Sequence, residues 1–144
     1  MLIDKDLLFK IVTRAHRGLY DVTKGRLGGS VANMPVLKLT TIGRRSGEKR
    51  ITVLTSPIHD GDKVVIIASF GGDDRHPAWY LNLQANPEAD IEMTGKTRAM
   101  IARVAQGEER SALWKQTVAA YKGYASYQLK TSREIPIVIL EPRP

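Results

Sequence analysis

The stretch PVLKLTTIGRRSGEKRITVLTS, residues 35–56, places two β-rich runs on either side of a turn that begins at Gly43. PVLKLTTI and RITVLTS are both rich in β-branched residues, which favour strands. Gly43 and Gly47 punctuate the segment between them, and glycine is a strong turn signal. The sequence therefore predicts two antiparallel strands here, as part of a larger sheet.

Four further runs have the same texture and predict further strands. They are DKVVIIAS (62–69), ADIEMT (89–94), KTRAMIARVA (96–105) and IPIVILEP (135–142). Asp60-Gly61 is a strong hairpin signal, and Gly95 marks a second turn between the runs on either side of it. We therefore expect about six strands, mainly antiparallel.

Two segments between the strands carry helical signals. In RHPAWYLNLQANPEA, residues 75–89, Pro77 suits the first helical turn and Asn86-Pro87 ends the helix. GEERSALWKQTVAAY, residues 107–121, has acidic residues in its first turn and predicts a helix that runs to about Ala120. Hairpin-linked strands with outer helices indicate the α+β class and a small closed or split β-barrel. A parallel Rossmann sheet is disfavoured because strands and helices do not alternate regularly.

The length of 144 residues suits one domain. We assign residues 33–144 to the barrel and residues 1–32 to an N-terminal helix and linker. Apolar side chains recur at helical spacing over residues 4–20, with basic residues among them, which predicts an amphipathic helix. That helix either packs on the core or lies on an anionic membrane surface, and both readings stay open. Residues 21–33 are rich in glycine and polar groups and predict a linker.

Composition narrows the class of partner. The 22 lysines and arginines exceed the 15 aspartates and glutamates, and the formal net charge of +7 favours anionic partners. The chain has no cysteine, which excludes disulfides and thiolate metal sites and favours a reducing compartment such as the cytoplasm. No segment has the ~20 apolar residues that a membrane-spanning helix needs. We therefore expect a soluble or peripheral protein.

The turn at residues 43–50 carries far more charge than a turn needs. Its cations and one hydroxyl are Arg44, Arg45, Ser46, Lys49 and Arg50. Guanidinium groups beside main-chain N–H groups in a glycine-bracketed turn have the composition of a phosphate cradle. A Walker loop is excluded, because G-x-x-x-x-G-K-[ST] is absent. A solvated basic turn explains the same residues, and the sequence alone leaves both explanations open.

Two further stretches suggest a ligand site. Ser69 ends a predicted strand and precedes Gly71-Gly72, where the backbone could approach a flat ligand closely because no Cβ intervenes. The alternative is a flexible loop. Ser69 is not in a G-x-S-x-G elbow, so a hydrolase triad has little support. The three histidines are too scattered for a metal signature, and we predict no metal site.

Tyr121, Tyr124 and Tyr127 lie three residues apart, so one helical stretch would align three rings roughly on one side. Tyrosine combines an apolar ring with a polar tip, which suits the wall of a pocket for a planar ligand with polar edges. A core-facing aromatic stripe is the alternative.

Together, LTTIGRRSGEKR (39–50), VVIIASFGGDDRHPAWYLNLQANP (64–87) and YKGYASYQLKTSREIPIVILEP (121–142) resemble the deazaflavin-dependent nitroreductase family, which includes F420H2-dependent quinone reductases. The resemblance implies a split β-barrel, related to flavin mononucleotide-binding oxidases, that binds coenzyme F420. It implies that the basic turn holds the coenzyme phosphate. The coenzyme contacts that it implies are Arg44, Arg45, Ser46, Lys49, Arg50, Thr52, Val53, Leu54, Ala68, Ser69, Pro77, Trp79, Tyr80 and Asn82.

The activity implied by the resemblance is hydride transfer from reduced deazaflavin to a quinone, enone or nitroaromatic acceptor. The resemblance implies that Tyr121, Tyr124 and Tyr127 cover the acceptor side. We expect Tyr124 to be the hydrogen-bond donor there, because a phenol can donate from an otherwise apolar wall, and Ser69 is a further candidate catalytic residue. Thr55 and Phe70 stand where some nitro-reducing relatives have tyrosine and lysine. Flavin mononucleotide is the alternative cofactor, but four cations suit the longer anionic tail of F420 better.

Two other functions compete with the reductase. One is a binding protein for a flavin, deazaflavin or heme on the same barrel, without turnover. The other is a basic nucleic-acid-binding module, which is disfavoured because the chain lacks an RNP-like aromatic strand and a helix-turn-helix. We expect a small-molecule electron acceptor such as a quinone, no nucleic acid, a monomer or homodimer, and a cytoplasmic protein for which membrane contact through residues 4–20 stays open.

Overall fold

The computed structural model describes residues 30–31 and 34–144, which form eight strands and three helices. In chain order these are β1 (Ser30–Val31), β2 (Met34–Ile42), β3 (Lys49–Thr55), β4 (Ile58–Asp60), β5 (Lys63–Ile67), α1 (Ala78–Ala85), β6 (Glu88–Met93), β7 (Lys96–Val104), α2 (Gly107–Ala120), α3 (Gly123–Leu129) and β8 (Ile137–Pro142). One turn of 3₁₀-helix, Phe70–Gly72, lies between β5 and α1. The predicted helix over residues 4–20 and nearly all of the predicted linker lie outside the described residues, and the predicted boundary at residue 33 stays a prediction.

Every strand pair of the sheet is antiparallel. The strands follow the order β1-β2-β6-β7-β8-β5-β4, and β3 pairs with the other side of β2. The two ends of this path, β1 and β4, do not pair with each other within the described residues, so the sheet is open. The predicted α+β class and antiparallel barrel are confirmed, and of the two forms of barrel left open the split one is found.

The six predicted strands are all present, and the structure adds two short ones. β4 forms a hairpin with β5 through Asp60 and Gly61, as that dipeptide predicts, and Gly61 has a φ of 61°. β4 has only three residues, and β1 has two. Segments this short are too brief to show the period-2 pattern that marks a strand in a sequence.

One face of the sheet encloses the main core. Leu37 and Leu39 on β2 are 0% exposed, and the intervening Lys38 points to the opposite face. Strands β5 to β8 and helix α1 complete this cluster with Val64, Ile66, Ala68, Trp79, Tyr80, Leu83, Ala89, Ile91, Met93, Met100, Val138 and Leu140. The two-residue period of β2 thus places its leucines inside the barrel.

A second cluster lies on the other face of β5 and β8. Val65 and Ile67 alternate with the core residues of β5, so that strand is buried on both faces. Helices α2 and α3 cover this face with Leu113, Trp114, Tyr121, Tyr124 and Tyr127. Burial on both faces explains why the β5 and β8 sequences are almost continuously apolar.

The helix predicted over residues 107–121 is α2, which ends at Ala120 as expected. The structure corrects the expectation that one helical stretch carries all three tyrosines. Tyr121 caps α2 with an extended φ of −155°, and α3 begins two residues later at Gly123. The rings are brought together by this break between two helices and not by one continuous helix.

Truncation of a buried leucine in the main core should destabilise the protein strongly. Leu140 is 0% exposed, whereas Leu129 at the end of α3 is 88% exposed. We expect Leu140→Ala to lower the free energy of unfolding by about 2–5 kcal/mol, and Leu129→Ala to change it by less than about 0.5 kcal/mol. Urea unfolding followed by circular dichroism measures both, and equal effects would contradict the assigned core.

Candidate active site

The basic turn between β2 and β3 is closed by its own main chain. The Gly43 N–H donates to the Glu48 carbonyl at 2.7 Å, and the Gly47 N–H donates to the Gly43 carbonyl at 2.8 Å. Ser46 Oγ accepts hydrogen bonds from the Glu48 N–H at 3.1 Å and from Arg50 Nη2 at 3.3 Å. A Cβ at Gly43 would lie 2.7 Å from Ser46 Oγ, so only glycine leaves room for this arrangement.

A cavity of about 320 Å³ lies beside this turn. It is lined by Thr41, Gly43, Arg44, Arg45, Ser46, Arg50, Thr52, Ala78, Trp79 and Asn82. The structure therefore brings together seven of the residues named from the sequence: Arg44, Arg45, Ser46, Arg50, Thr52, Trp79 and Asn82. Lys49 is exposed at the start of β3 and does not line the cavity.

Asn82 ties α1 to the basic turn. Its Oδ1 accepts hydrogen bonds from the Arg44 main-chain N–H at 3.2 Å and from Arg44 Nη1 at 3.1 Å. Its Nδ2 donates to Thr41 Oγ1 at 3.1 Å. Asn82 and Thr41 are both almost fully buried, so these bonds satisfy polar groups that water does not reach. The sequence patterns did not single out Thr41, because nothing local distinguishes it from Thr40, the other threonine of β2.

The other residues predicted to contact a cofactor do not line the cavity; they are Val53, Leu54, Ala68, Ser69, Pro77 and Tyr80. Val53 packs with Val36 on the face of β3 opposite to Thr52, and Leu54 packs against the main core. Ala68 is 0% exposed. Pro77 and Tyr80 form the first turn of α1, where the Pro77 carbonyl accepts a hydrogen bond from the Tyr80 N–H at 3.1 Å.

The three tyrosines form one aromatic cluster. The ring centroids of Tyr121 and Tyr124 are 5.5 Å apart at 90°, those of Tyr124 and Tyr127 are 6.0 Å apart, and those of Tyr121 and Tyr127 are 6.5 Å apart. Tyr124 Oη and Thr55 Oγ1 share a hydrogen bond of 3.3 Å. β3 thus leads from the cavity at Thr52 to the tyrosines at Thr55, about 10 Å along an extended strand.

Burial controls the protonation of the cluster. Burial raises the pKa of the Tyr124 phenol, and the hydrogen bond with Thr55 opposes this only partly. Burial likewise raises the pKa of Tyr127. Both phenols are therefore neutral hydrogen-bond donors throughout the neutral pH range.

The turn after Ser69 has an unusual backbone. Phe70, Gly71 and Gly72 have successive φ values of 46°, 62° and 86°. The sequence suggested that Gly71-Gly72 lets the backbone approach a flat ligand, but the close neighbour of Gly72 is helix α3. A Cβ at Gly72 would lie 2.8 Å from the Tyr127 carbonyl oxygen. The glycine is thus needed for contact between this turn and the tyrosine-bearing helix.

The sequence patterns also did not indicate a role for Arg133. It lies between α3 and β8, and its guanidinium donates to the carbonyls of Ala68, Ser69 and Asp73. A single arginine in a connecting segment gives no local signal, because its partners are 60 to 65 residues away in the chain.

Comparison with known proteins gives a consistent result. The family model described as F420H(2)-dependent quinone reductase matches residues 12–142. An F420H(2)-dependent quinone reductase of Mycobacterium tuberculosis is 39% identical over 135 residues, which cover 90% of this chain and 89% of the relative.

Two solved structures are similar along most of the chain. An F420-H2 dependent reductase is 44% identical with a TM-score of 0.68, over 74% of this chain and 94% of that one. A structure described as a domain-swapped dimer is 39% identical with a TM-score of 0.70, over 88% of this chain and 96% of that one. The open antiparallel sheet is the split barrel of flavin mononucleotide-binding-like proteins. The chain belongs to the F420H(2)-dependent quinone reductase family, and it is an oxidoreductase that uses coenzyme F420.

Proposed function

We propose that the basic turn binds the phosphate and the anionic tail of F420, and that the tyrosine cluster binds the quinone. The observation that carries the proposal is the convergence of three arginines and one serine hydroxyl on one cavity, at the end of a strand whose other end contacts Tyr124. Reduced F420, when bound, supplies the hydride that the quinone accepts.

The cavity fits an anionic group. Arg44, Arg45 and Arg50 carry guanidinium groups, which form strong charge-assisted hydrogen bonds with phosphate oxygens. Asn82 holds the main chain and one guanidinium nitrogen of Arg44, so this arginine is oriented before any ligand arrives. Arg50 pairs with Glu48 at 3.7 Å, but both side chains are largely exposed, and such a pair is easily exchanged for a phosphate contact.

The edge of β3 supports the contacts proposed for Thr52, Val53 and Leu54. Within the described residues, β3 pairs with β2 alone, so its other edge has main-chain groups without a strand partner. A flat ligand that lies along this edge can bind N–H and C=O groups of successive residues, although their side chains point to opposite faces. We propose that these three residues contact F420 mainly through their main chain.

Tyr124 is the proposed donor on the acceptor side. Hydride addition to a quinone leaves negative charge on a quinone oxygen, and a neutral phenol can donate a hydrogen bond to that oxygen. The raised pKa keeps the Tyr124 proton in place. We propose that Tyr121, Tyr127 and Ser69 shape the same side, where the aromatic rings exclude water from the reacting atoms.

Loss of two cations from the basic turn should weaken coenzyme binding. A hydrogen bond to a charged group contributes about 1.5–3 kcal/mol, so we expect Arg45→Ala/Arg50→Ala to raise the Kd for F420 about a hundredfold or more. Fluorescence titration measures the Kd. Higher salt should weaken binding by the parental protein more than by the variant, because the turn is exposed.

The matched control removes the same charge elsewhere. Lys96 and Lys115 are exposed and lie on β7 and α2, away from the cavity lining. We expect Lys96→Ala/Lys115→Ala to keep the parental affinity. An equal loss of affinity in both double variants would show that net charge, and not this turn, governs binding.

The role of Tyr124 can be separated from its bond with Thr55. Tyr124→Phe should lower the kcat for menadione reduction by about tenfold or more, because the donor is lost. Thr55→Val removes this partner and leaves the phenol beside only Met34 Sδ, a weak acceptor at 3.9 Å. The phenol can then still donate to the quinone, so the kcat should stay near the parental value. Steady-state oxidation of reduced F420 measures both. An equal decrease in both variants would show that the hydrogen bond only holds the fold.

Two further proposals concern the oligomeric state and the cellular location. We propose a homodimer, because a similar structure is described as a domain-swapped dimer. We also propose that the protein is cytoplasmic and contacts the membrane through residues 4–20. None of the helices within residues 34–144 has the length and hydropathy needed to cross a bilayer. Sedimentation velocity and co-sedimentation with anionic vesicles test the two proposals. A monomer at all concentrations rejects the first, and the same vesicle binding after deletion of residues 4–20 rejects membrane contact through that segment.

A further inference from the structure

Arg133 binds one turn of the chain with its whole guanidinium group. Its Nε donates to the Asp73 carbonyl at 2.8 Å, its Nη1 to the Ala68 carbonyl at 3.1 Å, and its Nη2 to the Ser69 carbonyl at 2.9 Å. Nη1 also lies 3.2 Å from His76 Nδ1. A guanidinium only donates, so His76 accepts at Nδ1, and burial together with Arg133 lowers the pKa of His76.

The turn that Arg133 binds contains a strained residue. Phe70 has a φ of 46°, which is an uncommon and strained backbone conformation for a residue with a Cβ. Such conformations persist where the surrounding structure holds them. Arg133 binds the carbonyls of Ser69 and Asp73, one on each side of the strained segment, and so restrains both of its ends.

The main chain of Arg133 is in turn held by helix α3. Gln128 Nε2 donates to the Arg133 carbonyl at 2.8 Å, and Gln128 Oε1 accepts the Ile135 N–H at 3.0 Å. Gln128 follows Tyr127 directly in α3, and the same helix contacts Gly72. A continuous set of hydrogen bonds therefore connects the tyrosine-bearing helix, Arg133 and the turn after Ser69.

We propose that Arg133 is a positioning residue for hydride transfer. It fixes the turn after Ser69 against α3, and so sets the position of the Ser69 side of the site relative to Tyr124 and Tyr127. This inference rests on the proposed placement of the quinone beside the tyrosines. Arg133 itself need not contact the coenzyme or the quinone.

Arginine is specifically suited to this task. Three carbonyls and one imidazole nitrogen accept from one rigid planar fork, whereas a lysine ammonium is a single point donor on a flexible stem. Lysine at this position keeps the charge but cannot reach all of these acceptors at once. Arg133→Lys therefore separates a role in geometry from a role in charge.

The test measures kcat and KM for menadione, the Kd for F420 and the free energy of unfolding. Misplacement of reacting groups by about 1 Å costs up to about a hundredfold in rate. We therefore expect Arg133→Ala to lower kcat about tenfold to a hundredfold. The Kd for F420 should rise by a smaller factor, because the basic turn is intact and only the expected contacts at Ala68 and Ser69 are disturbed. Added guanidinium, but not methylammonium, should restore part of the kcat of Arg133→Ala. Arg133→Lys should also have a lowered kcat.

Arg110 provides a matched control on the same segment. Its Nη1 donates to the Ile135 carbonyl at 2.7 Å, and its Nε lies 2.9 Å from Glu134 Oε1. Its guanidinium also lies over the Trp114 ring at 5.7 Å, so the side-chain contacts of Arg110 within residues 34–144 are with Trp114, Glu134 and Ile135 and not with the turn after Ser69. Arg110→Ala should lower stability without a comparable loss of kcat and without rescue by guanidinium.

Several outcomes would overturn the inference. They are an unchanged kcat in folded Arg133→Ala, an equal loss of kcat in Arg110→Ala, or a failure of both Arg133 variants to fold, which would make Arg133 a stability residue alone. Failure of the proposed function is seen separately. If Tyr124→Phe keeps the parental kcat while Arg133→Ala loses it, the donor role is wrong and the positioning role stands.

Discussion

The register of β2 is the constraint on which the rest of the molecule depends. β2 pairs with β3 on one side and with β6 on the other, and Leu39 lies opposite Thr52 and Ile91 in the two ladders. A slip of one residue would turn the buried leucines of β2 toward the wrong face, so burial fixes the register. The same register turns Thr41 toward α1, where Asn82 donates a hydrogen bond to it. Packing in the core thereby decides where the basic turn is anchored.

The two ends of the site work in different dielectric environments. The arginines of the basic turn are exposed, so their attraction for anions is screened by salt and suits a ligand that must bind and leave. Tyr124 is 5% exposed, and a hydrogen bond that it forms acts in a medium that screens it much less. With the roles proposed for the basic turn and for Tyr124, affinity for an anionic group and stabilisation of new charge would be separated along β3.

The sequence predicted what local patterns encode. The six longer strands, the Asp60-Gly61 turn and the end of α2 at Ala120 follow from hydrophobic period and turn chemistry, which act within a few residues. The basic turn was also predicted, because its residues are neighbours in the sequence. The bonds of Asn82 to Arg44 and Thr41 join residues 38 and 41 positions apart, and those of Arg133 span still more. Such pairings depend on how strands and helices pack, and no local pattern encodes them.

The edge of β3 that has no strand partner among the described strands affects how two copies of the protein interact. An open strand edge is a template for intermolecular β-pairing, and aggregation through such edges is a general hazard. Here the exposed strand begins with Lys49 and Arg50, next to the arginines of the preceding turn. When two such edges approach, like charges repel before main-chain hydrogen bonds can form. We therefore expect the positive turn to disfavour edge-to-edge association of two copies.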